Sequence, residues 1–258
     1  MRQFIAKKEF IIPVSVVLFT TFLYLLFRIL VNLIYRSNLN KGNFKGKSNN
    51  GRDGITYRKR ILAFLIYGIM PIIIIKYIFH ERLQDYGFAI GHTNFKPVYF
   101  ILMASMVLPI MLLLSKKDRI NSHYPEVRGA FVSNWSLIFS SITYILYYFG
   151  YESLYRGFLV FGLRRYTGDF IAVIASMVFT SVTHLSSPWI VLIGSIVSGV
   201  IFPYIVILSG SIWALFVFHS MIGISMDLFC IKAKKVEFSM NANRGSDMDV
   251  RNKKLMGN

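Results

Sequence analysis

Long apolar runs alternate with short polar segments along the chain. The runs cover residues 11–35, 61–79, 98–114, 134–163, 170–184, 189–208 and 211–230. Most of them have the length of a helix that crosses the hydrocarbon core of a bilayer, since a helix rises about 1.5 Å per residue. The pattern therefore predicts an all-α fold, a polytopic transmembrane helical bundle with about seven to eight spans. An eighth span would lie within the long fourth run.

Two of the runs differ from a simple membrane crossing. The fourth exceeds one crossing, so we expect it to tilt, bend or lie partly along the interface, with bending at Gly150 or Gly157. The first follows Arg2, Lys7 and Lys8, as a secretory signal would. It is too long for the apolar part of a signal peptide and lacks a small-residue cleavage site, so we expect it to remain as a membrane helix.

Composition and charge identify the expected environment. Hydrophobic residues make up 55% of the 258 residues and charged residues 16%. An ordinary soluble domain is about a quarter charged, so the composition excludes one. Lys and Arg number 29 against 12 Asp and Glu, a net charge of +17. These basic residues lie mostly between the apolar runs, where they favour membrane lipid as a partner rather than nucleic acid.

The distribution of Lys and Arg also predicts an orientation. Outside the runs, 19 of them follow runs 1, 3 and 5 or lie in the C-terminal tail, and 7 lie on the opposite side. By the positive-inside rule the N-terminus is outside and the tail is cytosolic. We expect the membrane to be a bacterial plasma membrane.

Three regions follow from this pattern. Residues 1–129 carry N-terminal transmembrane helices and a basic loop, and the loop at 36–60 is rich in Asn, Gly, Lys and Ser and is predicted to be flexible. Residues 130–230 form a helical core that holds the candidate site. Residues 231–258 are a polar, cytosolic tail that we expect to be mobile.

Titratable side chains inside the apolar runs are the candidate functional residues, because a charge in a membrane is costly and is normally retained only when it is paired or used. They are Glu152, Arg156, His184, His219 and Asp227, while Arg28 and Lys76 lie near the ends of their runs and can reach the headgroups. Glu152 and Arg156 are four residues apart on one helix face and are expected to form an ion pair. His219 and Asp227 are eight apart, so both can face one interior cavity.

These residue types can perform hydrolysis. A carboxylate within one water's reach of a histidine can take a proton from that water as it attacks a carbonyl, and a second imidazole can bind the oxygen that becomes negative. We therefore expect no cofactor. The alternative is a zinc site formed by His184, His219 and Glu152 with one position open for water. The single Cys230 excludes an internal disulfide and a cysteine-built metal site.

The same residues resemble the motifs of a known family. The segment Tyr151-Glu-Ser-Leu-Tyr-Arg-Gly157 is similar to the EExxxR motif of the CPBP intramembrane proteases, which include CAAX prenyl endopeptidases and bacteriocin-processing Abi proteins. His184 in VFTSVTHL is similar to the histidine of FxxxH, and His219 in VFHSMIGISMD to that of HxxxN or HxxxD. The resemblance covers about residues 130–230.

The resemblance implies an all-helical membrane endopeptidase that cleaves a peptide or lipidated protein substrate near the membrane. It implies that Glu152 and His184 hold the catalytic water, that His219 stabilises the oxyanion and that Arg156 orients the acid. Three positions depart from the motifs: Tyr151 replaces the first glutamate, Thr180 replaces the phenylalanine, and Gly223 replaces the final Asn or Asp. Tyr151 and Asp227, the nearest polar substitute, are therefore expected to be supporting residues.

Two other function classes stay open at this point. The substitutions at Tyr151 and Gly223 would also suit a family member that has lost hydrolysis and acts as a membrane scaffold or regulator. A transporter would use similar intramembrane residues as a proton relay, but the chain shows no internal repeats or paired broken helices. The sequence specifies neither the substrate nor the oligomeric state.

Overall fold

Apolar helices build the architecture, and the described residues contain no strand. The computed structural model describes residues 2–40, 50–89, 97–131 and 133–256. The main helices in these ranges are α1 (Arg2–Asn40), α2 (Asn50–Ala63), α3 (Pro97–Leu114), α4 (Asn134–Glu152), α5 (Gly162–Thr183), α6 (Trp189–Ser209) and α7 (Trp213–Met256).

Two of these helices continue through π-helical segments. The helix that begins as α2 extends through Phe64–Ile69, Met70–Ile73 and Ile74–Ile78, of which the first and last are π-helical. Helix α4 continues as the π-helix Ser153–Phe161 and then as α5. Segments of this kind are rare and occur frequently at functional sites.

The prediction of a polytopic helical bundle is confirmed. Within the described residues, five helical stretches are long and apolar enough to cross a membrane: Phe10–Asn38, Arg52–Ile78, Asn134–Thr183, Trp189–Ser209 and Trp213–Lys235. The predicted third run forms a shorter apolar helix, Tyr99–Leu114. The protein is an integral membrane protein.

The 50-residue stretch Asn134–Thr183 is interrupted at Gly168. Its backbone there has φ 81° and ψ 169°, which a residue with a Cβ adopts with strain. Gly150 lies within α4 and Gly157 within the π-helix Ser153–Phe161, so the helix continues through both positions, and bending there stays a prediction. The interruption separates the fourth and fifth predicted runs, so each of the seven runs corresponds to its own helical segment in the described ranges.

Two other boundaries differ from the prediction. Helix α1 extends to Asn40 and α2 begins at Asn50, so residues 36–40 and 50–60 of the predicted flexible loop are helical. The rest of that predicted loop, residues 41–49, lies outside the described residues. The predicted tail continues α7 as a helix to Met256 rather than as an irregular segment.

The centre of the bundle is the segment that joins α4 to α5. Every residue from 151 to 163 is buried. A helix that is covered on all sides belongs to the interior of a bundle, and aromatic packing provides the cover here. Phe158 stacks between Phe79 and Tyr86, with ring centroids 5.8 and 6.2 Å away.

The segments between helices lie on two opposite faces of the bundle, where polar contacts join them. On one face, which we call the tail face, Asp53 accepts backbone hydrogen bonds from Arg128 and Gly129, and Lys234 donates to the carbonyl of Tyr124. The tail face includes the start of α2, residues 115–131, residues 184–188 and the part of α7 around Lys234.

On the opposite face, Ile212 donates a backbone hydrogen bond to Gly87, and the Trp213 indole donates to the carbonyl of Phe88. Arg165 binds Glu81 on this face at 2.9 Å. The segments thus alternate between the faces as the predicted crossings require. Which compartment the tail face meets stays a prediction.

Close helix packing depends on Gly150, and this gives a stability test. A Cβ at Gly150 would lie 2.7 Å from the carbonyl oxygen of Ala63, which is too close for real atoms. We expect Gly150→Ala to lower the free energy of unfolding by about 1–3 kcal/mol, because α2 and α4 must separate.

The matched control is Gly194→Ala in α6, where no atom lies within 4 Å of the new Cβ. It should leave the free energy of unfolding unchanged or raise it by at most about 1 kcal/mol, since alanine is the better helix former. Unfolding of both variants is followed in mixed detergent and SDS micelles. Equal stability of the two variants would contradict the packing described here.

Candidate active site

Two charged side chains lie inside the central segment, at Glu152 and Arg156. Glu152 is 0% exposed and Arg156 1% exposed, and Arg156 Nε lies 3.5 Å from Glu152 Oε2. The pair is one turn apart along the helix, as the spacing predicted. Mutual attraction offsets part of the cost of burying each charge.

A histidine from another helix completes the surroundings of the carboxylate. His219 of α7 places Nδ1 2.6 Å from Glu152 Oε1. Since an ionised carboxylate is only an acceptor, Nδ1 is assigned as the protonated nitrogen, and Nε2 then carries the free lone pair. This tautomer makes Nε2 available to accept a proton.

Aromatic rings hold the His219 imidazole in position. The Tyr148 ring packs against it with centroids 4.3 Å apart, and Tyr151 and Phe202 meet it edge-on at 5.5 and 5.6 Å. These contacts restrict rotation of the imidazole, so the Glu152 contact is supported from several sides. Tyr151, which replaces the first glutamate of the motif, thus contacts the histidine through its ring.

The imidazole borders a cavity of about 230 Å³. Its walls come from α1, α2, the segment before α4, α4 itself, the α5–α6 turn and α7. The lining side chains are Tyr24, Phe27, Arg28, Lys59, Arg60, Tyr67, Tyr124, Glu126, Tyr144, Tyr147, Tyr148, Tyr151, Thr183, His184, Ser186, Ser187 and His219. Both candidate histidines therefore face one space. Glu152 and Arg156 lie behind its wall.

His184 is positioned by the end of α5. It follows the last helical residue, Thr183, whose hydroxyl lies 3.4 Å from the Tyr151 hydroxyl. This contact joins the α5 terminus to the central helix. Burial, and secondarily the neighbouring His219, lowers the pKa of His184 to about 4. Its imidazole is consequently neutral near pH 7 and can donate or accept a hydrogen bond.

Asp227 lies away from the histidines. Its Oδ2 is 4.0 Å from Arg60 Nη2, and Asp227 is not among the cavity-lining residues. The expectation that it would share a cavity with His219 is not met. The reason is geometric, since two helical turns carry it towards α2 and the tail face.

Arg60 is a central residue that the sequence did not single out. Its guanidinium donates to the Ser140 carbonyl at 2.9 Å and to Glu126 at 3.1 Å, and it lies 3.5 Å from the centroid of the Tyr144 ring. Only 1% of Arg60 is exposed. The apolar run begins at residue 61, so Arg60 was assigned to the basic loop. Arg60 lies seven residues before Tyr67, which is about two helical turns, so the sequence indicated that both side chains lie on the inner face.

The charge of Glu126 depends on the same cluster. Burial opposes ionisation of its carboxyl, but the cations of Lys59 and Arg60 outweigh burial and hold the pKa of Glu126 below its usual value. Glu126 therefore stays ionised at neutral pH and links the segment before α4 to α2.

The alternative zinc set is not assembled. Among residues 2–40, 50–89, 97–131 and 133–256, no three His, Cys, Asp or Glu side chains are grouped so that they could hold a metal ion. His184, His219 and Glu152 do not form such a group. Glu152 Oε1 instead contacts His219 Nδ1.

Comparison with known proteins agrees with this arrangement. Residues 133–225 match the family model described as Type II CAAX prenyl endopeptidase Rce1-like. The match confirms the predicted resemblance to CAAX-type intramembrane proteases over this part of the chain. It includes the positions of Glu152, His184 and His219, whereas the parts of the cavity wall formed by α1, α2 and the segment before α4 lie outside the matched residues. No curated protein and no solved structure matches the chain.

The buried contacts of Arg60 with Ser140, Glu126 and Tyr144 lead to a second stability prediction. We expect Arg60→Met to lower the free energy of unfolding by about 2–4 kcal/mol, because polar partners on α4 and the segment before it lose their buried donor. Arg58→Met is the control, since Arg58 lies on the same helix and is exposed. The control should change stability by less than about 0.5 kcal/mol. Similar losses in both variants would mean that Arg60 does not support the fold.

Proposed function

We propose that the protein is a CAAX-type intramembrane endopeptidase in which His219, held by Glu152, activates water. The 2.6 Å contact between these residues, at the wall of a cavity that also includes His184, carries the proposal. The Rce1-like match at residues 133–225 supports the reaction class. Activation of water by a general base is a sufficient route to hydrolysis of a peptide bond.

The proposed roles follow from which side chains line the cavity and from the contact that Glu152 makes with His219 Nδ1. Water attacks the carbonyl carbon while His219 Nε2 accepts its proton, and the resulting imidazolium is stabilised by the Glu152 carboxylate. When the carbon–nitrogen bond breaks, His219 returns the proton to the leaving amine. The products are a carboxylic acid and an amine, and the enzyme recovers its original protonation state.

Burial decides the role given to Glu152. The carboxylate is 0% exposed and one of its oxygens already contacts His219, so we assign it to orient the imidazole rather than to bind water. Arg156 then pairs with the second oxygen of the Glu152 carboxylate through the 3.5 Å contact. His184, neutral and at the cavity wall, supplies a second hydrogen bond to the attacking water.

The cavity also suggests a substrate class. Its walls combine many tyrosines with the cations of Arg28, Lys59 and Arg60, and it reaches the tail face. Such a lining, with aromatic faces beside charged and hydroxyl groups, suits a peptide segment that carries both apolar and polar groups and enters from the membrane surface. Prenylated C-termini, peptide pheromones and leader peptides share this chemistry.

A scaffold without hydrolysis is the second candidate. Tyr151 and Gly223 replace polar residues of the motifs, and the Glu152 contacts could serve packing alone. In that case the purified protein would bind membrane peptides without cutting them.

Cleavage of a quenched fluorescent peptide tests the proposal. The probes are a farnesylated CAAX peptide and an apolar leader peptide, presented to the protein in lipid vesicles. We expect Glu152→Gln and His219→Gln each to lower kcat by at least about 10³-fold, because the imidazole loses its orientation or is absent.

The matched controls are Asp169→Asn and His123→Gln, which make the same chemical changes at exposed positions. Both should cleave at the wild-type rate. If the Glu152→Gln and His219→Gln variants cleave at the wild-type rate, the assigned roles are excluded. If the folded wild-type protein cuts neither probe, the scaffold is favoured.

Metal removal separates the water mechanism from the zinc alternative. We expect exhaustive chelation, followed by exchange into metal-free vesicles, to leave kcat unchanged within about twofold, since His219 takes the proton directly. Loss of activity that returns on addition of Zn²⁺ would contradict this mechanism.

A further inference from the structure

Gly223 and Tyr148 are fitted to one another. A Cβ built at Gly223 would lie 2.5 Å from Tyr148 Cε2 and 2.7 Å from its hydroxyl oxygen. Any side chain at position 223 would therefore displace the Tyr148 ring. Gly223 stands four residues after His219, where the protease motif has a polar side chain.

The Tyr148 side chain extends from the reacting histidine to Gly223. Its ring packs on His219 with centroids 4.3 Å apart, and its hydroxyl lies beside the backbone at Gly223. The four residues from His219 to Gly223 advance about 6 Å along the helix axis, a distance that an attacking water and a carbonyl group, each hydrogen-bonded at its end, can bridge. Tyr148 also lines the cavity together with His184 and His219.

Together these contacts place a proton donor where the motif's polar residue is absent. We propose that the Tyr148 hydroxyl is the hydrogen-bond donor to the carbonyl oxygen of the scissile peptide, and that Gly223 is required because it leaves space for this phenol. The inference rests on the proposed function. It assigns to a residue of α4 the hydrogen bond to the carbonyl oxygen, which a residue of α7 would otherwise donate.

The chemistry of a phenol suits this role. The hydroxyl donates to the carbonyl oxygen as water adds, and that hydrogen bond strengthens as the oxygen becomes negative. Tyr148 keeps its proton throughout, so no additional proton transfer is needed. Its packing against His219 fixes the donor before substrate binds, which avoids reorganisation during the reaction.

Removal of the hydroxyl tests this assignment. We expect Tyr148→Phe to lower kcat about 10²-fold with KM changed less than about threefold, because the donor acts mainly on the transition state. Tyr204→Phe on α6, 42% exposed, is the matched control and should match wild type. A Tyr148→Phe variant with the wild-type kcat overturns the inference while leaving the proposed function intact.

An exchange of the two side chains tests the fit between them. Gly223→Asn alone should lose activity, because the new side chain displaces Tyr148. Tyr148→Ala combined with Gly223→Asn should cleave at least about tenfold faster than Tyr148→Ala, since the amide can replace the lost donor. If the double variant is no faster than Tyr148→Ala, position 223 does not compensate for the phenol and the inference fails.

Binding gives a readout that does not depend on turnover. A phosphinate peptide presents a charged tetrahedral oxygen like that of the intermediate. Tyr148→Phe should weaken its binding about tenfold or more while the parent amide peptide changes less than twofold. Equal weakening of both ligands would indicate packing alone and overturn the inference. A wild type that neither cleaves nor prefers the phosphinate overturns the proposed function and this inference together.

Discussion

The burial of one carboxylate governs the arrangement of the site. Glu152 is fully covered at the centre of an apolar bundle, where an unpaired charge would cost several kcal/mol. Its two oxygens face Arg156 on the same helix and His219 on α7. The contact with His219 joins two helices that are distant in sequence, so the requirement to pair a charge also fixes the geometry of the proposed base.

Close contacts around the imidazole connect packing with chemistry. Tyr148, Tyr151 and Phe202 surround the His219 ring, and Gly223 allows Tyr148 to approach it. Protein interiors are close-packed, so a side chain at position 223 would require the Tyr148 ring to move. At both positions that depart from the protease motifs, an aromatic ring therefore holds the histidine. At position 151 this is the ring of Tyr151 itself, and at position 223 it is the ring of Tyr148, for which Gly223 leaves space.

Much of the fold and part of the site could be predicted from the sequence. Long apolar runs define membrane helices, and Glu152, Arg156, His184 and His219 are conspicuous because ionisable groups are rare inside such runs. The gap between the fourth and fifth runs predicted a break at residues 164–169, and the backbone angles place it at Gly168.

The contacts between helices could not be predicted from the sequence. Spacing placed His219 and Asp227 on related faces but did not show that α2 would supply the partner of Asp227. Arg60 lies at the border of an apolar run, where a buried arginine and an interfacial one have the same local pattern. Tyr148 had no signal, since tyrosines are frequent along α4 and its closeness to Gly223 depends on how two helices cross.

The extension of the cavity to the tail face bears on which side of the bilayer supplies water and receives the product. Lys59, Glu126 and Ser186 line its wall there, and Lys234 of α7 lies on the same side. Under the proposed function, water enters and the severed fragment leaves through the aqueous phase at the tail face. The sidedness of that face then determines which compartment receives the processed polypeptide.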